Sequence, residues 1–279
     1  MGSIILFSER NKSLLLIDFN LHLKLFKLSF KSTFKKSIDF SFNLTIIVGK
    51  VLSGVISTSI GCCKQSCSST ANAGAGNEAR QCDSNMTRLF DYNAKSKCEG
   101  GPATTCLSYT PFVIDGCDDV GYGFGAVSST IPSFCGKCFL IEFTGEGVWT
   151  TKDTHRKLKG KKLIFMAVNK SIYGEGTFDL LLPGGGTEMY PNGCDGIFSG
   201  DLGAQWGGIL ADCQEEAGMF DTDKSNNERK LCHIRKCNEA FEGEAREGCL
   251  FGAFFLEAAL DPQITYNEIE CPQILKDKY

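Results

Sequence analysis

All fifteen cysteines of this 279-residue chain fall between Cys62 and Cys271, and none precedes Cys62. A cytosolic protein rarely carries so many thiols without a metal or redox reason, so the pattern points to an oxidising, secreted setting and several disulfides. The odd count leaves at least one thiol free or paired between chains. The chain is long enough to bury a core as one large domain or two small ones.

Charge divides the chain at the same place. Residues 1–57 hold eight basic residues and three acids, which leaves 21 basic and 30 acidic residues beyond them, a formal charge of −9. An acidic body argues against nucleic acid, whose phosphates need clustered Lys and Arg. It suits a neutral polymer. In the leading stretch, Lys35-Lys36 followed by Phe42 to Ile56 has the form of a basic and then apolar signal segment ending near Ser57. Asn43 and Lys50 interrupt it, and a disordered leader is the other reading. No run of 18 uncharged apolar residues occurs, so no membrane-spanning helix is expected. Residues 1–57 are set aside as leader, and 58–275 are expected to be the folded domain.

Within that domain, short β-branched and aromatic runs alternate with glycine-rich turns. Cys138 to Thr144, Lys162 to Val168, Phe178 to Leu182 and Ile264 to Ile269 are strand candidates. Pro183-Gly184-Gly185-Gly186 and Trp206-Gly207-Gly208 are breakers. The pattern predicts an all-β barrel or sandwich with a few short helices. Residues 214–248 are dense in charge and are expected as an inserted loop, although helical patches also fit.

Few constellations carry chemistry. Cys232-His233 with Cys237 has zinc-ligand character, but a disulfide-closed loop fits the compartment better, so no metal and no cofactor are expected. There is no phosphate-cradling loop and no serine elbow. Asp179 stands between Phe178 and Leu180, and apolar surroundings raise a carboxyl pKa, which suits a general acid. From that stretch alone, a solvated strand aspartate is the plainer reading.

The wider sequence changes that weighting. Cys62-Cys63-Lys64-Gln65-Ser66-Cys67, Phe178-Asp179-Leu180 running into Pro183-Gly184-Gly185-Gly186, Gly193-Cys194, Trp206-Gly207-Gly208-Ile209 and Ile269-Glu270-Cys271-Pro272 occur in order. In this the chain resembles glycoside hydrolase family 45, secreted inverting endo-β-1,4-glucanases (cellulases) built on a six-stranded double-psi β-barrel and related in fold to expansins. The resemblance implies Asp179 as general acid, a β-glucan groove near Lys64, Phe139 and Trp206, and a monomer. It also implies the bridges Cys62–Cys194, Cys63–Cys98, Cys67–Cys135, Cys82–Cys106, Cys138–Cys271 and Cys213–Cys249, with the extra cysteines Cys232 and Cys237 joined and Cys117 free. The family's Thr-Arg-Tyr-Trp-Asp, which ends in the general base, corresponds to Ser57-Thr58-Ser59-Ile60-Gly61, so Gly61 marks a missing base. Glu175 and Asp115 are the candidate replacements. Inversion needs two carboxyls about 6.5–9.5 Å apart, so hydrolysis and a non-catalytic, wall-loosening or effector role both stay open. The sequons at Asn85 and Asn169 fit a secreted protein.

Overall fold

The structure, a computed structural model, describes residues 2–8, 13–19, 51–217 and 222–279. Two units separate, residues 1–48 and 49–279. In the first, β1 (Gly2–Ser8) and β2 (Ser13–Phe19) pair antiparallel. The remainder of the expected leader up to Lys50 lies outside the described residues.

The second unit is mostly sheet. Its strands are β3 (Leu52–Ser59), the short pair β4 (Gln81–Cys82) and β5 (Arg88–Leu89), β6 (Phe112–Val113), β7 (Val120–Ser128), β8 (Cys138–Gly147), β9 (Lys162–Ser171), β10 (Thr177–Leu181) and β11 (Pro262–Ile269). One sheet runs β10-β3-β11-β8-β9-β7-β6, and β10 pairs a second time, with β7. The pairs β10–β3 and β7–β9 are parallel and the others antiparallel. The expected boundary after residue 57 is corrected: β3 begins at Leu52 and lies between β10 and β11, so the leading segment taken as 1–57 includes a central strand.

Side-chain alternation builds the core. On β8, Phe139, Ile141 and Phe143 turn inward while Glu142 and Glu146 face solvent. Phe178 of β10 meets Phe139, Phe165 and Tyr266 edge-on, with ring centroids 5.3, 5.2 and 4.7 Å apart. Burying each such ring stabilises by roughly 1.5–3 kcal/mol. Phe139, expected in a sugar groove, is 3% exposed in this core. Its place in the strand alternation, two residues before Ile141, sends it inward.

Six helices complete the unit: α1 (Thr70–Ala73), α2 (Asp153–Leu158), α3 (Gly208–Ala217), α4 (Asp223–Ala240), α5 (Gly243–Phe254) and α6 (Gln273–Lys276). The segment expected as a charged loop at 214–248 is instead helical along most of its length. Thr222 caps α4, its hydroxyl accepting from the Ser225 amide.

Seven disulfides staple the unit. Five join Cys62 to Cys194, Cys63 to Cys98, Cys67 to Cys135, Cys82 to Cys106 and Cys138 to Cys271. The other two correct the expected pairs Cys213–Cys249 and Cys232–Cys237: the bonds are Cys213–Cys232 and Cys237–Cys249. Cys232 and Cys237 lie five residues apart on α4, roughly 8 Å between Cα atoms in a helix, too far for a disulfide. Each bonds outward, to α3 and to α5. Cys117 is free and exposed.

Candidate active site

Asp179 is placed by two strands at once. Its backbone pairs with Ser57 of β3 on one side and Ala126 of β7 on the other. Because side chains alternate, Phe178 and Leu180 enter the core while Asp179 takes the opposite face, which it shares with Ser57 and Ser59. The Ser57 hydroxyl donates to Oδ1 at 3.0 Å and the Ser59 hydroxyl to Oδ2 at 2.7 Å. Among the described residues no cation is bonded to the carboxyl. Burial leaves it 5% exposed and pushes its pKa up to about 6, against the pull of the two serine bonds. A carboxyl in that range holds its proton in mildly acidic solution and can deliver it to a leaving oxygen.

Two further carboxyls are electrostatically linked to this one. Glu188, half-buried after the Pro183-Gly184-Gly185-Gly186 turn, is raised to about 7, first by burial and then by the Asp179 charge. Asp261, one residue before β11, raises Asp179 in turn. It is itself held above the usual carboxylate range by burial, partly offset by a hydrogen bond from the Trp149 side chain. Tyr173 feels all three: burial first, then Glu188, Asp179 and Asp261, raise its hydroxyl. Two exposed aromatics interact with these carboxyls, Tyr173 and the Asp261 partner Trp149. Two more are near only along the chain: Tyr190, two residues after Glu188, and Trp206, which is 52% exposed. Trp206 follows Gln205, whose carbonyl accepts from the Glu188 amide at 2.8 Å and whose Nε2 donates to the Glu188 carbonyl at 2.6 Å.

The other expected site residues fall elsewhere. Glu175 is exposed and acts on Tyr266, not on Asp179. Asp115 lies in the turn after β6, where Val113 pairs with Gly121, five residues along β7 from the Asp179 partner Ala126. That is roughly 16 Å of strand. Lys64 donates to the carbonyls of Tyr92 and Ala94 at 2.6 and 2.9 Å and so pins a loop. Position 61 carries no side chain and resists one: Gly61 has φ +55°, and a Cβ there would sit 2.2 Å from Leu181 Cδ2, which would have to shift. Asn169 accepts from the Ser66 amide, a bond its amide group would have to keep if glycosylated. A cleft of about 470 Å³ between β6 and α5, lined by Phe112, Phe251, Phe254 and Glu247, is separate from Asp179. His233 clusters with Cys237 and Cys249, but those two sulfurs are bonded to each other and are not thiolates free to ligate.

Residues 53–279 match the sequence profile of glycosyl hydrolase family 45. The chain belongs to this family. Curated family relatives include Endoglucanase B of Cellvibrio japonicus, 34% identical over 221 residues, 76% of this chain and 42% of that protein. The putative endoglucanase type K of Fusarium oxysporum is 31% identical, over 77% of this chain and 50% of its own length. The chain therefore spans half or less of those two relatives. An endoglucanase of the springtail Cryptopygus antarcticus is 30% identical, over 81% of this chain and 87% of its length. The crystal structure of a cellulase from that animal superposes with a TM-score of 0.63 at 28% identity, covering 82% of this chain and 96% of the other.

For a family 45 chain, the residues that the sequence reading missed are instructive. Ser57 and Ser59 stood in the segment that lacks the base, where their two-residue spacing was the only sign of a shared face. Glu188 and Asp261 lie in loops, where no periodicity directs attention to a side chain. Both have left-handed backbone, φ 50° and 47°. Such strain in non-glycine residues gathers at functional sites.

Proposed function

We propose that this family 45 protein is a secreted endo-β-1,4-glucanase that hydrolyses a cellulose-type glucan with inversion, Asp179 being the general acid. The observation that carries the reading is the Asp179 carboxyl itself: buried, without a cation partner among the described residues, held by two serine hydroxyls and electrostatically linked to the exposed Tyr173. Aromatic faces suit the apolar faces of pyranose rings, and an exposed cluster of them marks a binding surface. The endoglucanase relatives support the substrate class, and seven disulfides support an extracellular setting. The six-stranded double-psi barrel is part of the same proposal. The cycle of pairings β10-β3-β11-β8-β9-β7 and back to β10 supports it. Among the described residues no helix is long and apolar enough to cross a membrane.

One observation favours a second reading. Position 61 has no carboxylate and a left-handed backbone that disfavours one, which suits a glucan-binding, wall-loosening protein without hydrolysis. Reducing-sugar release from carboxymethyl cellulose separates the two. The wild type releases sugar, Asp179→Asn loses at least about 10²-fold, and the rate falls as pH rises through about 6, where the acid loses its proton. Retention of the polymer on the protein with no release selects the binding role instead.

A further inference from the structure

We infer that Glu188 replaces the missing general base, taking a proton from the hydrolytic water while Asp179 protonates the leaving oxygen. The inference rests on the glucanase reading and supplies its second carboxylate.

Four features place Glu188 in that role. The first is the obstacle at position 61, where the left-handed backbone strains any side chain and Leu181 Cδ2 would have to move aside. The second is the docking of the loop that carries Glu188 against that same segment: the Leu182 amide donates to the Ser59 carbonyl at 2.7 Å, and the Ile60 amide donates to the Gly186 carbonyl at 2.8 Å. Glu188 follows two residues later, so the segment just before position 61 and the turn just before Glu188 are joined by a hydrogen-bonded seam. The third is anchorage. The paired bonds to Gln205 fix the Glu188 backbone beside the residue that precedes the exposed Trp206. The fourth is electrostatic: among the carboxyls near Asp179, Glu188 is the one whose own proton affinity the Asp179 charge raises. Two carboxyls coupled in this way titrate as a pair and pass through a state with one proton between them. An inverting reaction needs that state with the proton on Asp179 and Glu188 ionised, the minor arrangement at rest because Glu188, raised to about 7, holds a proton more tightly than Asp179 at about 6.

The step balances. The water oxygen bonds to the anomeric carbon as the bond from that carbon to the glycosidic oxygen breaks. The Asp179 proton goes to the departing oxygen, which becomes a 4-hydroxyl, and the water proton goes to Glu188. The new reducing end has the α configuration, and solvent returns the proton from Glu188 to Asp179.

Asp261 is the competitor. It lies on the far side of β3, before a strand whose Gln263 pairs with Val55, and it already accepts the Trp149 hydrogen bond. The test compares Asp179→Asn, Glu188→Gln and Asp261→Asn in the full chain on two substrates. One is carboxymethyl cellulose. The other is a dinitrophenyl β-cellotrioside, whose leaving group departs without a proton. Asp179→Asn is expected to lose the polymer reaction and keep the aryl one. Glu188→Gln is expected to lose both by about 10²–10⁴-fold, with its unfolding midpoint unmoved. Glu188→Ala supplied with azide is expected to form the α-glycosyl azide from the aryl substrate. An active wild type whose Glu188→Gln variant stays within about twofold on both substrates overturns the inference and leaves the glucanase reading standing. So does a loss on both substrates confined to Asp261→Asn. A wild type inactive on both substrates overturns the glucanase reading as well.

Discussion

At the scale of single residues, the proton affinity of Asp179 has a thermodynamic consequence apart from catalysis. Its folded pKa, about 6, lies above the ordinary carboxyl value, so the native state holds a proton that the unfolded chain releases. The stability tied to that proton is complete below the unfolded pKa and is lost as pH rises through about 6. Asp179→Asn keeps an acceptor for the two serines and removes the buried charge. It is expected to be more stable than wild type at pH 8 by on the order of 2 kcal/mol, the gap closing near pH 4. Denaturant melts at the two pH values check this, and equal gaps at both would show that Asp179 is not desolvated. The acid was legible in the sequence because a short motif surrounds it. The carboxyls that act on it were not. Glu175 and Asp115 were chosen for nearness along the chain or within a loop, whereas the partners of Asp179 are set by strand register. Its neighbours are therefore Ser57 and Ala126, 122 and 53 residues away along the chain.

At the scale of elements, four strands (β8, β9, β10 and β11) were readable while β3, β7 and the long helix α4 were not, for α4 with a clear physical reason. The buried side of α4 carries Ser225, Asn226, Arg229, Cys232, His233 and Cys237, spaced by three and four, as a helix requires. Those residues are polar or cysteine, so no apolar stripe announces the helix, and its one exposed leucine, Leu231, points outward. The inner face of α4 is held by two disulfides where other helices use leucine. The readable strands, by contrast, advertise themselves through alternation on β8 and, on β10, through apolar residues flanking a single acid. One close approach governs how β10 meets β7. A Cβ on Gly125 would lie 2.0 Å from the Asp179 carbonyl oxygen, so only glycine lets the two backbones pair there. Gly125→Ala is expected to cost about 2–3 kcal/mol through this backbone clash and to lower the rate on glucan with it, because the strand that moves carries the acid. A thermal melt alongside the sugar-release assay measures both, and a neutral substitution would mean that the β7–β10 pairing is loose.

At the scale of the whole molecule, covalent staples stand where the loops are long. Cys62–Cys194 and Cys138–Cys271 close 132 and 133 residues respectively. Removing the first by Cys62→Ser with Cys194→Ser is expected to lower stability by about 4–5 kcal/mol on the chain-entropy account. Removing Cys237–Cys249, which spans 12 residues, should cost roughly 1–2 kcal/mol less on the same account. Guanidine titrations of the two double variants give the comparison, and an equal loss would point to native-state strain in place of loop entropy. The disulfide network was readable in the sequence only in part, since linkage between helices depends on elements the sequence concealed. The position of β3 bears on how such a protein could mature. A protease trimming the chain at Ser57 would remove most of the strand between β10 and β11, with the Ser57 hydroxyl that Asp179 accepts from, so a processing cut that spares this fold has to fall upstream of Leu52.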